Sequence, residues 1–363
     1  MERHETRAAR VAAVMREEVP RMVAPGAVWT IAEGPLDGRR VTIDAEGVDV
    51  DAIFQISSVT KLLGTACTLR LVDEGALDLD DPVERFVPEW AGRQVLRERH
   101  GELADTVPAS RPTTVRDLLQ MGFGLGYDMA GGDDPLSRAS DEAGIMSAWQ
   151  PPELDPDTWV ERVASLPMRH QPGEGWLYQT SFDALAVVLE RATGTRFDEL
   201  LRQQVLDPLE MGDTGYVVPH AELHRVPALH FPDDEGGADL VRRAGDPANS
   251  QAPVFPSAST GLLSTVSDLA LFAQALLDGE QDPEPAPLPE PAAAMAREFL
   301  EPGRRWGLGV GLDEAGRFGW DGGTGASLWV DRADGVAAVL LTHQGTGPTT
   351  PAHFRRFWDA VRR

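Results

Sequence analysis

The chain is β-rich at its two ends and helical between them, and this arrangement leaves few folds open. Two runs of β-forming residues, 27–32 and 40–44, are joined by the turn-like Gly34-Pro35-Leu36-Asp37-Gly38, the pattern of a hairpin. Four more β-like runs, at 306–312, 315–320, 325–331 and 336–343, follow one another at hairpin spacing near the other end. Apolar residues at Ala8, Val11, Ala12 and Met15 predict a helix over 5–19, and an amphipathic pattern predicts another over 352–362. The expected fold class is therefore α/β in the α+β sense. One antiparallel sheet is built from both chain ends and flanked by the N- and C-terminal helices.

The middle reads as an insertion. Helical patterns lie near 113–120, 157–165, 182–193 and 196–206, separated by Gly/Asp/Pro loops such as 131–136 and 232–238. A further helix near 266–277 leads into the acidic, proline-rich loop 281–291. The predicted division is a discontinuous α/β domain (1–75 and 255–363) and a mostly helical domain (76–254), with the active site between them. No internal repeat is visible.

Lys61 is the only lysine among 33 basic side chains, and it stands three residues after Ser58. Arginine cannot lose its proton in a protein, whereas lysine does so when burial or a nearby charge lowers its pKa. A chain that otherwise uses arginine throughout keeps lysine where a removable proton is useful. Ser57 is placed as the N-cap of a helix running from about Ser58 to Glu74 and ended by Gly75. Free N–H groups at such a helix start favour negative charge near the Ser58 hydroxyl. Residues three apart share a helix face, so Lys61 is within reach of that hydroxyl and able to activate it for attack on a carbonyl.

Two more clusters stand out. One is Pro172-Gly173-Glu174-Gly175-Trp176-Leu177-Tyr178-Gln179-Thr180-Ser181, which holds one of three tyrosines. A phenol beside an ammonium can relay protons. The other is Gly319-Trp320-Asp321-Gly322-Gly323-Thr324-Gly325, where glycines in a strand allow close backbone approach.

Composition narrows the partners. Asp and Glu number 58, giving a net charge of −25, which disfavours nucleic acid and anionic membranes. No segment approaches the 18 or more apolar residues of a membrane span. The N-terminal segment is charged, with Val11–Met15 its longest apolar run, and a cytoplasmic location is expected. A single cysteine, Cys67, excludes an internal disulfide. There is no G-x-S-x-G, Walker A or H-E-x-x-H pattern. His220 and His224 lack a carboxylate or cysteine at ligand spacing and read as surface residues. His343 ends a predicted strand and reads as structural. No metal and no organic cofactor is expected.

Taken in order, S-x-x-K, the Pro-Gly approach to Tyr178 and the glycine-rich strand resemble the serine β-lactamase and penicillin-binding-protein superfamily. The nearest-looking branch is class C-like, with the family VIII carboxylesterases and D-aminopeptidases. Val115-Arg116-Asp117-Leu118-Leu119 with Gly122-Phe123-Gly124-Leu125, and the segment 259–269, are similar to further stretches of that family. The resemblance implies a β-lactamase/transpeptidase-like fold with Ser58 as acyl-accepting nucleophile and Lys61 and Tyr178 as its proton-transfer partners. It also implies an oxyanion hole from the backbone N–H groups of Ser58 and Gly323, and substrate contacts from Trp320, Asp321, Gly322 and Thr180. Two departures bear on activity. Thr180 stands where the family has asparagine, and Trp320 where it has lysine or histidine. An indole cannot pair with the carboxylate of a penicillin-like substrate, so the expected substrate is a small-molecule acyl ester or amide. The first expectation is a carboxylesterase. The alternatives are an acyltransferase of small-molecule biosynthesis, an amidase or D-aminopeptidase, a weak β-lactamase, and a catalytically silent binding protein.

Overall fold

A computed structural model describes residues 6–35, 38–129, 131–233, 235–279, 297–298, 305–346 and 350–363. The loop 281–291 lies outside them. In chain order the elements are α1 (Arg7–Glu18), β1 (Ala27–Glu33), β2 (Arg40–Glu46), β3 (Phe54–Gln55), α2 (Thr60–Asp73), β4 (Gln94–Leu96), β5 (Thr106–Pro108), α3 (Val115–Leu119), α4 (Pro135–Glu142), α5 (Pro156–Ser165), α6 (Thr180–Thr193), α7 (Phe197–Leu201), β6 (Leu229–Pro232), β7 (Ala238–Arg242), β8 (Leu263–Ser264), α8 (Val266–Asp278), β9 (Arg297–Glu298), β10 (Arg305–Trp306), β11 (Gly311–Leu312), β12 (Phe318–Gly322), β13 (Ala326–Asp331), β14 (Val336–Thr342) and α9 (Ala352–Arg362).

One antiparallel sheet is built from both ends, in the order β2-β1-β14-β13-β12-β11-β10-β9. The pairing of β1 with β14, Ala27 opposite Thr342 through Glu33 opposite Val336, joins the N- and C-terminal parts. Side chains alternate across a strand, so each strand feeds two faces. Trp29, Ile31, Ala338 and Leu340 pack with Val11 and Met15 of α1 and Phe354 and Phe357 of α9. Val28, Val339, Leu341, Leu328 and Phe318 face the other way, with α2, α6 and α8. This second core is continuous across positions 75 and 255 of the chain, from Leu63 through Phe182 to Phe272. No helix among the described residues is long and apolar enough to cross a membrane.

Several boundaries differ from expectation, each for a local reason. The run 306–312 is two short strands, because Gly307 N–H bonds Val310 O at 2.8 Å and reverses the chain. Gly309 in that reversal has φ +70°, and a Cβ there would meet Thr65 Oγ1 at 1.7 Å. The run 315–320 pairs only from Phe318, since Asp313 ties down the N–H groups of Ala315 and Arg317 in a turn. Around 131–136 the expected loop ends in α4, which starts with Asp134 accepting from Ser137 N–H and Pro135 in the first turn. The ends of the expected loop 232–238 are strand residues, Pro232 of β6 facing Ala238 of β7. Ser57 caps nothing. Ser57–Val59 form a 3₁₀ turn, and α2 begins at Thr60.

Candidate active site

The nucleophile turn is strained and enclosed. Ser57 has φ +42°, in the left-handed region that non-glycine residues rarely occupy, a conformation that costs about 1–3 kcal/mol. Ser58 follows, 7% exposed, and Lys61 one turn on is completely buried. Lys61 Nζ donates to Ser58 Oγ at 3.1 Å, to Gln179 Oε1 at 2.7 Å and to Ser259 O at 2.8 Å. It lies 4.5 Å from the centre of the Tyr178 ring. Its three N–H directions thus meet three neutral acceptors, and no carboxylate pairs with it directly. Burial pushes the Lys61 ammonium down to about 7, and the charge of Asp183 opposes the drop. A lysine lowered this far is in good part neutral near neutral pH, the form that a proton acceptor needs.

Asp183, also fully buried, sits one layer behind. It accepts from Ser147 at 2.8 Å, Ser257 at 2.5 Å and Ser259 at 2.6 Å. Burial raises its carboxyl, while these bonds and Lys61 hold it down. Gln179 links the two charges. Its carbonyl accepts a hydrogen bond from Lys61 Nζ, and its amide nitrogen lies 3.1 Å from both Ser147 Oγ and Ser259 Oγ and 3.0 Å from Ala148 O.

Gln179 occupies that place because of a γ-turn. Its φ and ψ are +87° and −71°, and Thr180 N–H reaches back to Tyr178 O at 3.3 Å. Tyr178 itself is held as a strand residue, exchanging two 2.9 Å backbone bonds with Tyr127. Gly126 must be glycine here, since a Cβ would lie 2.4 Å from Tyr178 O. The turn moves the polar contact one residue from where the sequence placed it. Thr180, expected as a substrate contact, is completely buried with its hydroxyl facing Met146 Sδ at 3.6 Å. Gln179 and Asp183 went unread in the sequence.

The third cluster divides by strand parity. Trp320, on the α2 side of the sheet, donates its indole N–H to Tyr178 Oη at 2.7 Å. It stands perpendicular to Trp306, with ring centres 4.7 Å apart, and with Trp176 these rings form an aromatic wall around Tyr178. Asp321 points to the opposite face, where Oδ1 accepts from Ser327 Oγ at 2.5 Å and Trp329 Nε1 at 2.9 Å. This alternation turns Asp321, expected as a substrate contact, away from the face that carries Trp320. Gly322 packs against the nucleophile turn, and a Cβ there would meet Ile56 O at 2.3 Å. Thr324 Oγ1 clasps Gln55 O at 2.5 Å, and a Cβ on Gly323 would lie 3.9 Å from Ser57 Oγ. The backbone N–H groups of Ser58 and Gly323 donate to no acceptor among the described residues. Ser58, Lys61, Tyr178, Trp320, Gly322 and Gly323 are therefore gathered at one place, while Thr180 and Asp321 are not. Among the described residues no group of three or more His, Cys, Asp or Glu is placed to hold a metal ion.

A sheet joined from both chain ends, with S-x-x-K facing a glycine-bearing strand and a tyrosine loop, defines a serine enzyme of the penicillin-recognising type. The chain belongs to the Beta-lactamase family, whose profile matches residues 12–361. It is 33% identical over 341 residues to esterase EstB of Burkholderia gladioli, an alignment covering 83% of this chain and 81% of EstB. It is 27% identical to the lovastatin esterase of Penicillium rubens, over 80% of this chain and 79% of that one. Among solved structures, EstCE1, described as a hydrolase with promiscuous acyltransferase activity, superposes with a TM-score of 0.81 at 23% identity and 98% coverage of both chains. This last likeness establishes the shared fold.

Proposed function

We propose that the protein hydrolyses small-molecule carboxylic esters through an acyl-enzyme on Ser58. The observation that carries this is Lys61 Nζ, 3.1 Å from Ser58 Oγ, fully buried among neutral acceptors and lowered to about 7. Neutral Lys61 takes the Ser58 proton as Oγ attacks the ester carbonyl carbon. The negative charge on the former carbonyl oxygen is met by the N–H groups of Ser58 and Gly323, on the order of 3 kcal/mol for each donor. Collapse of the tetrahedral intermediate breaks the acyl–oxygen bond. The leaving alkoxide receives its proton from the Lys61–Tyr178 side. Water then repeats the sequence on the acyl-enzyme and releases the acid.

Trp320 favours esters over β-lactams. Its indole N–H is committed to Tyr178, so this position offers no cation to a carboxylate next to the reacting carbonyl. A charge-assisted hydrogen bond of that kind is worth roughly 1.5–3 kcal/mol. The kinship with EstB and the lovastatin esterase supports the same reading. Acyl transfer is the second reading, since the same acyl-enzyme yields to an alcohol in place of water, and EstCE1 bears a description of that kind. The test is a panel of short-chain aryl esters beside a chromogenic cephalosporin. Esters are expected to be turned over at least about tenfold better in kcat/KM, a difference of about 1.4 kcal/mol. Efficient cephalosporin hydrolysis with esters untouched would reverse the assignment.

A further inference from the structure

A pocket of about 340 Å³ opens beside the nucleophile turn, with Gln55 and Ser57 in one wall and Trp149, Arg242 and Asn249 around it. Several of its polar atoms lack partners. Ser57 is 3% exposed, yet its hydroxyl makes no hydrogen bond among the described residues. Asn249, 5% exposed, accepts from Gln55 Nε2 at 3.1 Å, but its own Nδ2 and Gln55 Oε1 are buried without partners. The Arg242 guanidinium lies over the Trp149 ring, 5.3 Å from its centre. Its Nε has no acceptor, and it forms no ion pair among the described residues. Acidic side chains outnumber basic ones 58 to 33, so an arginine without a carboxylate is not explained by a shortage of them. The exposed Glu153 also lines the pocket and leaves Arg242 unpaired.

The pocket's place relative to the chemistry indicates which part of a substrate it holds. Trp149 contacts Phe231, with ring centres 6.3 Å apart, and Phe231 packs on Gly345. Thr346 N–H then bonds Gly323 O at 2.8 Å, so this wall runs directly to the proposed oxyanion hole. The pocket meets the site through Ser57, next to Ser58, and none of Ser58, Gly323, Tyr178, Lys61 or Trp320 lines it. The leaving group must face the Lys61–Tyr178 side to be protonated, which leaves the Ser57 side to the acyl chain.

We propose that this pocket receives the far end of the acyl chain and that Arg242 binds a carboxylate there, so that the preferred substrates are esters of dicarboxylic acids. The inference rests on the esterase reading and refines it. Trp320 denies a carboxylate beside the reacting carbonyl, and Arg242 accepts one at the distal end. Arginine supplies a planar pair of donors suited to a carboxylate, and stacking on Trp149 fixes its plane. The experiment compares 4-nitrophenyl monoesters of adipic, pimelic and suberic acid with methyl-terminated esters of equal chain length. In the wild type the acid-to-neutral ratio of kcat/KM is expected to be about tenfold or more for at least one length, the worth of one charge-assisted bond. Arg242→Gln should reduce that ratio about tenfold and Arg242→Lys should restore part of it. A ratio that stays below one at every length, or one that Arg242→Gln leaves unchanged, overturns the proposal. Calorimetric titration of Ser58→Ala with monomethyl adipate decides the pocket independently of turnover. Binding that weakens about tenfold when Arg242→Gln is added supports it, and no binding, or binding indifferent to Arg242, overturns it. Absence of ester turnover with Arg242-dependent binding intact would defeat the esterase reading alone.

Discussion

On the face of the sheet covered by α1 and α9, Asp321 is half-buried and clamped. Ser327 and Trp329 donate to it, and Trp358 donates to Ser327 at 3.0 Å. On the opposite face Lys61 and Asp183 are fully buried, but the lysine meets only neutral acceptors and one of them is the Ser58 hydroxyl. Both faces remove charge-bearing groups from water. The first ties its acid to two fixed donors, Ser327 and Trp329, beside the apolar cluster of the terminal helices. The second sets its lysine against neutral, exchangeable partners, with two residues of positive φ, Ser57 and Gln179, at the turns that bring them together. Buried polar groups stabilise when fully paired and become reactive when a partner is replaceable.

The sharpest way to break this contrast is at Ser58. Ser58→Ala should abolish labelling by a fluorophosphonate probe, read by intact mass, and lower turnover by about a thousandfold or more while the melting temperature holds. Equal labelling of both proteins would sink the mechanism. Lys61→Arg keeps the charge and removes the ability to give up a proton. A loss of about a hundredfold or more in kcat is expected, and retention of most activity would make the lysine a structural charge.

The opposite face should respond in stability alone. Leu340 is fully buried against the terminal helices, so Leu340→Ala should cost about 2–5 kcal/mol in urea unfolding. Its kcat/KM per folded molecule should stay near the wild-type value. A comparable collapse of kcat would mean that the faces are coupled.

Proton linkage sharpens the comparison further. If neutral Lys61 is the base, kcat/KM rises with pH through about 7. The charge of Asp183 favours the protonated lysine, so Asp183→Asn should lower the lysine further and move that limb to lower pH. A limb that stays in place or moves up would contradict the assignment. The smallest effect is expected at Asp321. Asp321→Asn should change kcat/KM by no more than about threefold, as for a residue off the site, whereas Trp320→Phe, which deletes the bond to Tyr178, should lower it about tenfold.

Much of this was legible in the chain itself. The terminal helices, the first hairpin and the sheet shared by both ends follow from periodicities contained within short segments. Ser58 and Lys61 come together because helical pitch brings residues three apart to one face. Strand alternation was equally available for Asp321, since a residue between Trp320 and Gly322 must face away from both. The shift from Thr180 to Gln179 was not legible, because the γ-turn depends on Tyr178 pairing with Tyr127 across 51 residues of chain.

The sequence by itself determined which side chains are available for chemistry: one lysine placed after a serine, one tyrosine behind a Pro-Gly approach, and glycines where a strand meets the nucleophile turn. Tertiary structure decided what those side chains are chemically. Lys61 loses its usual basicity only because α6, the segment around Ser259 and the sheet close over it, and Arg242 acquires a pocket only because the β6–β7 hairpin folds against Trp149. Propensity and periodicity act within a few residues. Desolvation and pairing act between residues that the chain leaves far apart, and they exist only once the fold has brought them together.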